Sequence, residues 1–460
     1  MPLTNVQARD VATILHPYTP LHTLAQNGPL VLESGKGIYV TDTQGKQYIE
    51  GLSGLWCAGL GFGDEELIEA GIEQMRKLPY YHLFGGKGME PAIELAEKLK
   101  ELAPMPVSKV FFTSSGSEAN DTQVKLAWYY NNALGRPEKK KIISRVKAYH
   151  GVTIMTASLT GLPANHMDFD LPIARVLHTD CPHHYRFSEP GESEEEFVGR
   201  LAANLRAMIE REGPETIAAF IAEPVMGAGG VIVPPKSYFP TIQPILAEYD
   251  ILCISDEVIN GFGRTGNWWG AETFGYQPDT LSTAKQLTSA YAPLGAVLVP
   301  QKMVDAFESE SAKIGTFGHG FTYGGHPLGC ALGVKAIEIY QKRDILSHVR
   351  SVMPVFEKRM IALRDHPLVG ETRYAGLMGG VELVADKDTK RAFPPKAGVA
   401  AQAVRFLEGH GVISRAIGDT VALCPPMIIT ESETDELFDR LEKALADTEA
   451  WVAKEGLRTA

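Results

Sequence analysis

Two rhythms of apolar and polar positions alternate along the chain. Short apolar runs at residues 110–112, 141–144, 217–222, 251–255, 281–284 and 296–299 have strand length and are apolar on both faces. Strands of that kind suit a parallel sheet covered by helices. Between them, Phe197, Leu201, Leu205 and Met208-Ile209 recur at helical spacing behind an acidic stretch at residues 192–196. Those carboxylates favour a helix N-terminus. Further on, Thr430-Glu431-Ser432-Glu433 reads as a capping box ahead of Leu437, Leu441 and Leu445. No internal repeat or low-complexity tract interrupts the pattern, and a composition shift near residues 329–344 marks a boundary. The pattern predicts a large central α/β domain followed by a smaller, more helical α+β domain.

Composition adds mainly exclusions. A chain of 460 residues can build more than one domain around a sizeable core. Hydrophobic residues at 44% and charged residues at 22% are ordinary globular usage. A formal net charge of -12 with no basic stripe disfavours nucleic acid and anionic membranes as partners. The five cysteines are scattered, without a C-x-x-C pair, which suits a reducing compartment. The N-terminal residues lack the basic-then-apolar run of a secretory signal, and no apolar stretch approaches the roughly 18 to 20 residues that span a bilayer. A soluble, cytoplasmic protein is expected.

In an open parallel sheet, ligands bind beyond the carboxyl ends of the strands, so the residues after each run are the candidates. Thr113-Ser114-Ser115-Gly116-Ser117-Glu118-Ala119-Asn120 follows the first run and opens a helix with Val124, Ala127 and Trp128 on one face. Glycine and hydroxyls there offer free N–H groups and a favourable dipole to a phosphate. Ordinary capping accounts for the same residues, and the stretch is neither a Walker P-loop nor G-x-G-x-x-G. The run 251–255 ends in Asp256-Glu257. A carboxylate there needs a partner, because an unpaired buried charge is costly. An arginine would serve; so would a protonated pyridine nitrogen, making Asp256 the electronic control of a pyridoxal ring. Lys285 directly follows the run 281–284 and precedes Pro293-Leu294-Gly295. Most lysines are solvated, but one in that position points into a crevice, where burial lowers its pKa as Schiff-base chemistry requires.

With phosphate cradle, carboxylate and lysine in this order, the chain resembles the class III aminotransferases of the ω-transaminase type, a fold-type I family dependent on pyridoxal 5′-phosphate. The likeness runs from His16-Pro17-Tyr18 to Pro425-Pro426 and is most specific from Asp256-Glu257-Val258 to Gly266, together with Lys285. The resemblance implies an α/β fold with a mostly parallel seven-stranded sheet in a large cofactor-binding domain over residues 66–335. It implies a small α+β domain over 336–460, and an N-terminal segment, 1–65, that contributes to the small domain and the active site. By the same resemblance Lys285, Asp256 and Tyr149 are the catalytic residues. Lys285 carries the cofactor as a Schiff base and shuttles the proton, Asp256 keeps the ring nitrogen protonated, and Gly116 and Ser117 cradle the phosphate. Tyr149 and Val258 cover the two ring faces, and Glu223 lies near the Asp256 network. Thr322, within Gly318-His319-Gly320-Phe321-Thr322-Tyr323, would reach the phosphate of a neighbouring subunit, implying a homodimer with shared sites or a tetramer built from it. Tyr18, Leu55, Trp56 and Phe84 match positions lining the amine side. Arg415 matches a mobile arginine that grips a carboxylate through two parallel hydrogen bonds and swings aside for uncharged groups.

The implied activity is ping-pong transfer of an amino group from an ω-amine or amino acid to a 2-oxo acid, pyruvate foremost. Donors of the implied kind include 4-aminobutyrate, β-alanine, taurine, putrescine and aryl-alkyl amines. A decarboxylase, racemase or aminomutase of the same fold is the alternative, because the bond that breaks depends on its alignment to the ring. A nucleotide-binding protein using residues 114–117 is the alternative from another class. No metal is expected: His178, Cys181, His183 and His184 lie close in sequence but lack a second ligand pair. His319 and His326 read as loop and packing residues.

Overall fold

All six apolar runs are strands in the computed structural model, which describes residues 3–458. A seventh, Val176–Thr179, joins them. In chain order they are β1 (Lys109–Thr113), β2 (Lys141–Arg145), β3 (Val176–Thr179), β4 (Ile217–Ala222), β5 (Leu252–Asp256), β6 (Thr280–Thr283) and β7 (Gly295–Val299). They form one seven-stranded sheet in the order β1-β7-β6-β5-β4-β2-β3. The strands from β2 to β6 pair parallel. β7, which the sequence pattern placed among parallel strands, instead runs antiparallel to both β1 and β6. An apolar run on both faces reports burial and not direction. Direction follows from the short link between β6 and β7, which holds only the turn Lys285–Thr288 and no crossover helix. β3 escaped the pattern because it is an edge strand with a half-buried middle at Leu177 and His178.

Alternate residues of each inner strand meet different helices, as a period of two requires. Ile221 and Ile254 pack with Val124 and Ala127 of the helix Gly116–Ala133. Phe220 and Cys253 pack on the other face with Phe197 and Leu201 of Glu194–Glu212, and with Phe239 and Ile242 of Tyr238–Glu248. Each large apolar side chain buried this way contributes about 1.5–3 kcal/mol. The Glu194–Glu212 helix begins at a Ser193/Glu196 capping box, and Glu431–Lys454 begins at the expected Thr430/Glu433 box and buries Leu437, Leu441 and Leu445.

Two four-stranded sheets complete the fold. One consists of Val369–Ala375, Met378–Leu383, Thr420–Leu423 and Arg415–Ile417, all antiparallel. In the other, Leu32–Lys36, Tyr39–Asp42 and Gln47–Glu50 are joined by Val412–Ile413, which runs parallel to Gln47–Glu50. The N-terminal segment therefore shares a sheet with the C-terminal part. Among the described residues no helix is long and apolar enough to cross a membrane.

Arg264 fastens these parts together beside the sheet. Its fully buried guanidinium donates to the Pro425 carbonyl at 2.5 Å and to Ser53 Oγ at 3.2 Å. Ser53 Oγ in turn donates to the Cys424 carbonyl at 2.6 Å. Hydrogen bonds from a charged donor contribute about 1.5–3 kcal/mol each. Arg264→Ala is therefore expected to lose about 3 kcal/mol, read as a lower melting temperature that Arg264→Lys restores only in part. A melting temperature that does not move would remove the clamp.

Candidate active site

The helix Gly116–Ala133 starts directly after β1, and Ser115 is its cap: its Oγ accepts from Glu118 N at 3.1 Å and its carbonyl from Ala119 N at 3.0 Å. Capping thus explains Ser115. It also leaves the N–H groups of Gly116 and Ser117 without an acceptor among the described residues, at the positive end of an 18-residue helix. Two glycines shape the space in front of them. A Cβ on Gly116 would stand 2.9 Å from Val258 Cγ1. One on Gly151, whose φ is +137°, would stand 2.5 Å from Ser117 Oγ.

β5 ends in Asp256, only 3% exposed. One carboxylate oxygen accepts from Asn120 Nδ2 and from His150 Nδ1, both at 2.7 Å; the other accepts from Val258 N at 3.1 Å. Because a carboxylate only accepts, His150 carries its proton on Nδ1. Asn120 also donates to the His150 carbonyl at 2.9 Å. Neither Asn120 nor His150 was singled out from the sequence. The only signal for them is the general need of a buried carboxylate for donors, and nothing local says which donors arrive.

After β6 the chain turns sharply at Lys285, whose φ of +45° is uncommon for a residue with a side chain. The turn is held by Gln286, whose amide donates to the Trp56 carbonyl at 3.2 Å and whose carbonyl accepts from Tyr340 at 3.0 Å. Burial pulls the Lys285 ammonium below its ordinary range, while the Asp256 carboxylate pulls it back up. Glu223, just past β4, is buried and accepts from Tyr149 N at 2.9 Å and Gly227 N at 3.1 Å. Burial pushes its carboxyl up, and burial likewise pushes up the Tyr149 phenol.

One cavity of about 200 Å³ gathers these groups. Every site residue singled out from the sequence lines it except Phe84 and Thr322. Trp56 forms a buried wall and Leu55 a more exposed one. Arg415 stands at the edge of its sheet with its guanidinium carbon 5.7 Å from the centre of the Tyr18 ring. No carboxylate lies within ion-pair distance of it among the described residues.

Phe84, expected to line the amine side, stands outside the cavity formed within one chain. It is 51% exposed and packs on Gly320, where an added Cβ would meet its ring at 2.9 Å. Thr322, in the same loop, is also exposed, and its carbonyl accepts from Tyr80 at 2.8 Å. The two residues form one surface patch. Of the histidines, His319 stacks on Phe111 at 5.0 Å, and burial lowers it to about 4. His326 caps the helix Pro327–Lys342. His183 meets Glu371 at 2.8 Å and lies 3.9 Å from Glu382, carboxylates that Arg373 and Arg186 also pair. That group is a compensated ion network.

A helix start with free N–H groups, a buried carboxylate and a desolvated lysine in one cavity fit the phosphate, the ring nitrogen and the aldehyde of pyridoxal 5′-phosphate. His150 Nε2 and Asn120 Oδ1, both buried and unpartnered, flank the same wall. Fold and site thus define a pyridoxal-phosphate enzyme. The family model "Aminotransferase class-III" matches residues 23–445, and the chain belongs to that family. It is 50% identical over 447 residues to "Gamma aminobutyrate transaminase 3, chloroplastic" of Solanum lycopersicum, covering 97% of this chain and 86% of that protein. The crystal structure of the ω-transaminase from Pseudomonas jessenii in complex with PMP is 50% identical, with a TM-score of 0.96 over 98% of this chain and 99% of that one. A transaminase with L-Ala is 54% identical, with a TM-score of 0.91 over 92% of this chain and 100% of that one. The protein is an aminotransferase that uses pyridoxal phosphate and acts on small amines and keto acids.

Removing one preorganised donor from a charged site costs on the order of 100-fold in rate. His150→Ala and Asn120→Ala are each expected to lose about that much kcat/KM for both substrates, and to retain the cofactor less well in a spectroscopic titration. Activity within about twofold of the parent would show that Asp256 needs neither donor.

Proposed function

We propose that this aminotransferase moves the amino group of a small ω-amine or ω-amino acid, of the 4-aminobutyrate kind, to a 2-oxo acid, foremost pyruvate, in a ping-pong cycle. One observation carries the reading: Arg415, without an ion-pair partner among the described residues, faces the same cavity as Lys285. An unpaired guanidinium at a cavity wall suits a carboxylate, which it holds through two parallel bonds. Both 4-aminobutyrate and pyruvate carry one, and the relatives named as γ-aminobutyrate transaminases support that donor.

The cofactor supplies, when bound, an aldehyde that condenses with the amine and a ring that stores the electrons released at the amine-bearing carbon. Lys285 is the residue that would hold the cofactor through that aldehyde. As a free amine, favoured by its desolvation, Lys285 Nζ would take the proton from the donor carbon and give it back. Asp256, held by Asn120 and His150, would pair with the ring nitrogen, Gly116 and Ser117 would bind the phosphate, and Tyr149 and Val258 would confine the ring. Glu223 anchors the Tyr149 backbone. Once the carbonyl product has left, Arg415 orients the keto acid for the reverse sequence.

The exposed patch of Phe84 and Thr322 supports a homodimer in which each chain completes the other's cavity. The free cysteines, four of them buried, support a reducing compartment such as the cytoplasm.

The reading is tested by its half-reaction. An amine alone should bleach the yellow holoenzyme once, stoichiometrically, and then stall until pyruvate restores the colour. Sustained release of carbon dioxide or racemised amine without any acceptor would sink it. Two charge-assisted hydrogen bonds correspond to on the order of 100-fold in affinity. Arg415→Ala should therefore raise the pyruvate KM about 100-fold while changing a neutral aryl-alkyl amine far less; equal losses for both would contradict the carboxylate role.

A further inference from the structure

The Arg415 guanidinium rests over the ring of Tyr18. Tyr18 comes from the loop between the helices Asn5–Thr13 and Leu21–Asn27, far in sequence from Arg415, and is 58% exposed. Its φ is +49°, a conformation that bulky residues seldom adopt without an external hold. An exposed tyrosine in such a loop would ordinarily sample several rotamers, and a cation above a moving ring would move with it.

The hold is Asn165. Its side-chain amide donates to the Tyr18 hydroxyl at 2.6 Å, and the residue is itself 9% exposed. Asn165 ends the turn Pro163–Asn165, with its N–H bonded to the Leu162 carbonyl at 2.9 Å. Leu162 lines the cavity. The next residue, His166, ties the turn to the helix Ile154–Leu159 through the Ala157 carbonyl at 2.9 Å. The Tyr18 hydroxyl also neighbours the Tyr149 phenol. Asn165 is thus fixed to the large α/β part, while Tyr18 and Arg415 arrive from opposite ends of the chain.

We infer that Asn165 is a positioning residue for acceptor specificity: by pinning the Tyr18 hydroxyl it keeps the ring beneath Arg415 and holds the guanidinium where it grips a carboxylate. The inference rests on the carboxylate role of Arg415. A guanidinium over a ring is favoured by a factor of roughly three to ten at a half-exposed site. The bias works against neutral, bulky groups, for which the arginine must leave its platform. Asn165 therefore sets the balance between keto acids and neutral amines without touching either.

The test compares holoenzymes carrying Asn165→Ala, Tyr18→Phe, both together, Arg415→Ala, and Asn165→Ala with Arg415→Ala. Asn165→Ala and Tyr18→Phe should each raise the pyruvate KM about threefold to tenfold, with kcat falling by less than KM rises. The pair together should do no more than Tyr18→Phe alone, because that change already removes the hydrogen bond to Asn165. The ratio of kcat/KM for pyruvate to that for a neutral aryl-alkyl amine should fall by the same factor. Calorimetric binding of propionate, an unreactive three-carbon acid, should weaken in parallel. In the Arg415→Ala background, Asn165→Ala should add nothing. Equal losses for pyruvate and the neutral amine, or an additive effect without Arg415, would reduce Asn165 to loop packing and overturn the inference. If Arg415→Ala raises the pyruvate KM and neither Asn165→Ala nor Tyr18→Phe does, this inference alone fails. If Arg415→Ala leaves the pyruvate KM unmoved, the carboxylate reading fails and takes the inference with it.

Discussion

The Asp256 carboxylate lies at the end of a strand buried over its whole length, and it must be supplied with donors or it would destabilise the sheet that carries it. The donors come from two directions. Asn120 lies one turn inside the helix Gly116–Ala133, and His150 lies in the loop after β2. Meeting that need draws the helix start and the loop against the end of β5. The same convergence brings Gly116 onto Val258 and Gly151 onto Ser117, so the phosphate cradle and the carboxylate are consequences of one packing arrangement.

Two cations face the resulting cavity, and their surroundings differ as their tasks do. Lys285 is desolvated on a strained turn, which disfavours its ammonium and makes the free amine accessible. Arg415 keeps its charge out of any ion pair and rests it on an aromatic face. A guanidinium stays protonated in either setting, so it serves binding and not proton transfer. The separation of roles follows from side-chain chemistry as much as from position. Tyr18 and Trp56, both with positive φ, bring the N-terminal segment into the same cavity, and Arg264 ties that segment to residues 424–425.

What could be read along the chain was whatever depends on neighbours in sequence. The Thr430/Glu433 capping box, the six apolar runs and the order of Gly116-Ser117, Asp256 and Lys285 are local patterns, and the structure contains each of them. The edge strand Val176–Thr179 was hidden because half-buried strands mix polar and apolar residues without a clean period. Phe84 and Thr322 are exposed and lie outside the cavity of one chain, and nothing local in the sequence says which surface such residues meet.

The sequence by itself determined which reactive groups gather at one end of the sheet. A lysine, a carboxylate and a helix start, each following a strand, converge on one edge of the sheet, because strands running the same way all end on the same side. Only the tertiary structure decided the reversal of β7, the donors that Asp256 receives, and the contact that joins Asn165, Tyr18 and Arg415. Those three residues span some 400 positions of chain and meet across separate sheets and loops. No periodicity connects them, because a hydrogen bond or a cation over a ring depends on a few ångströms of distance that only the packed whole defines.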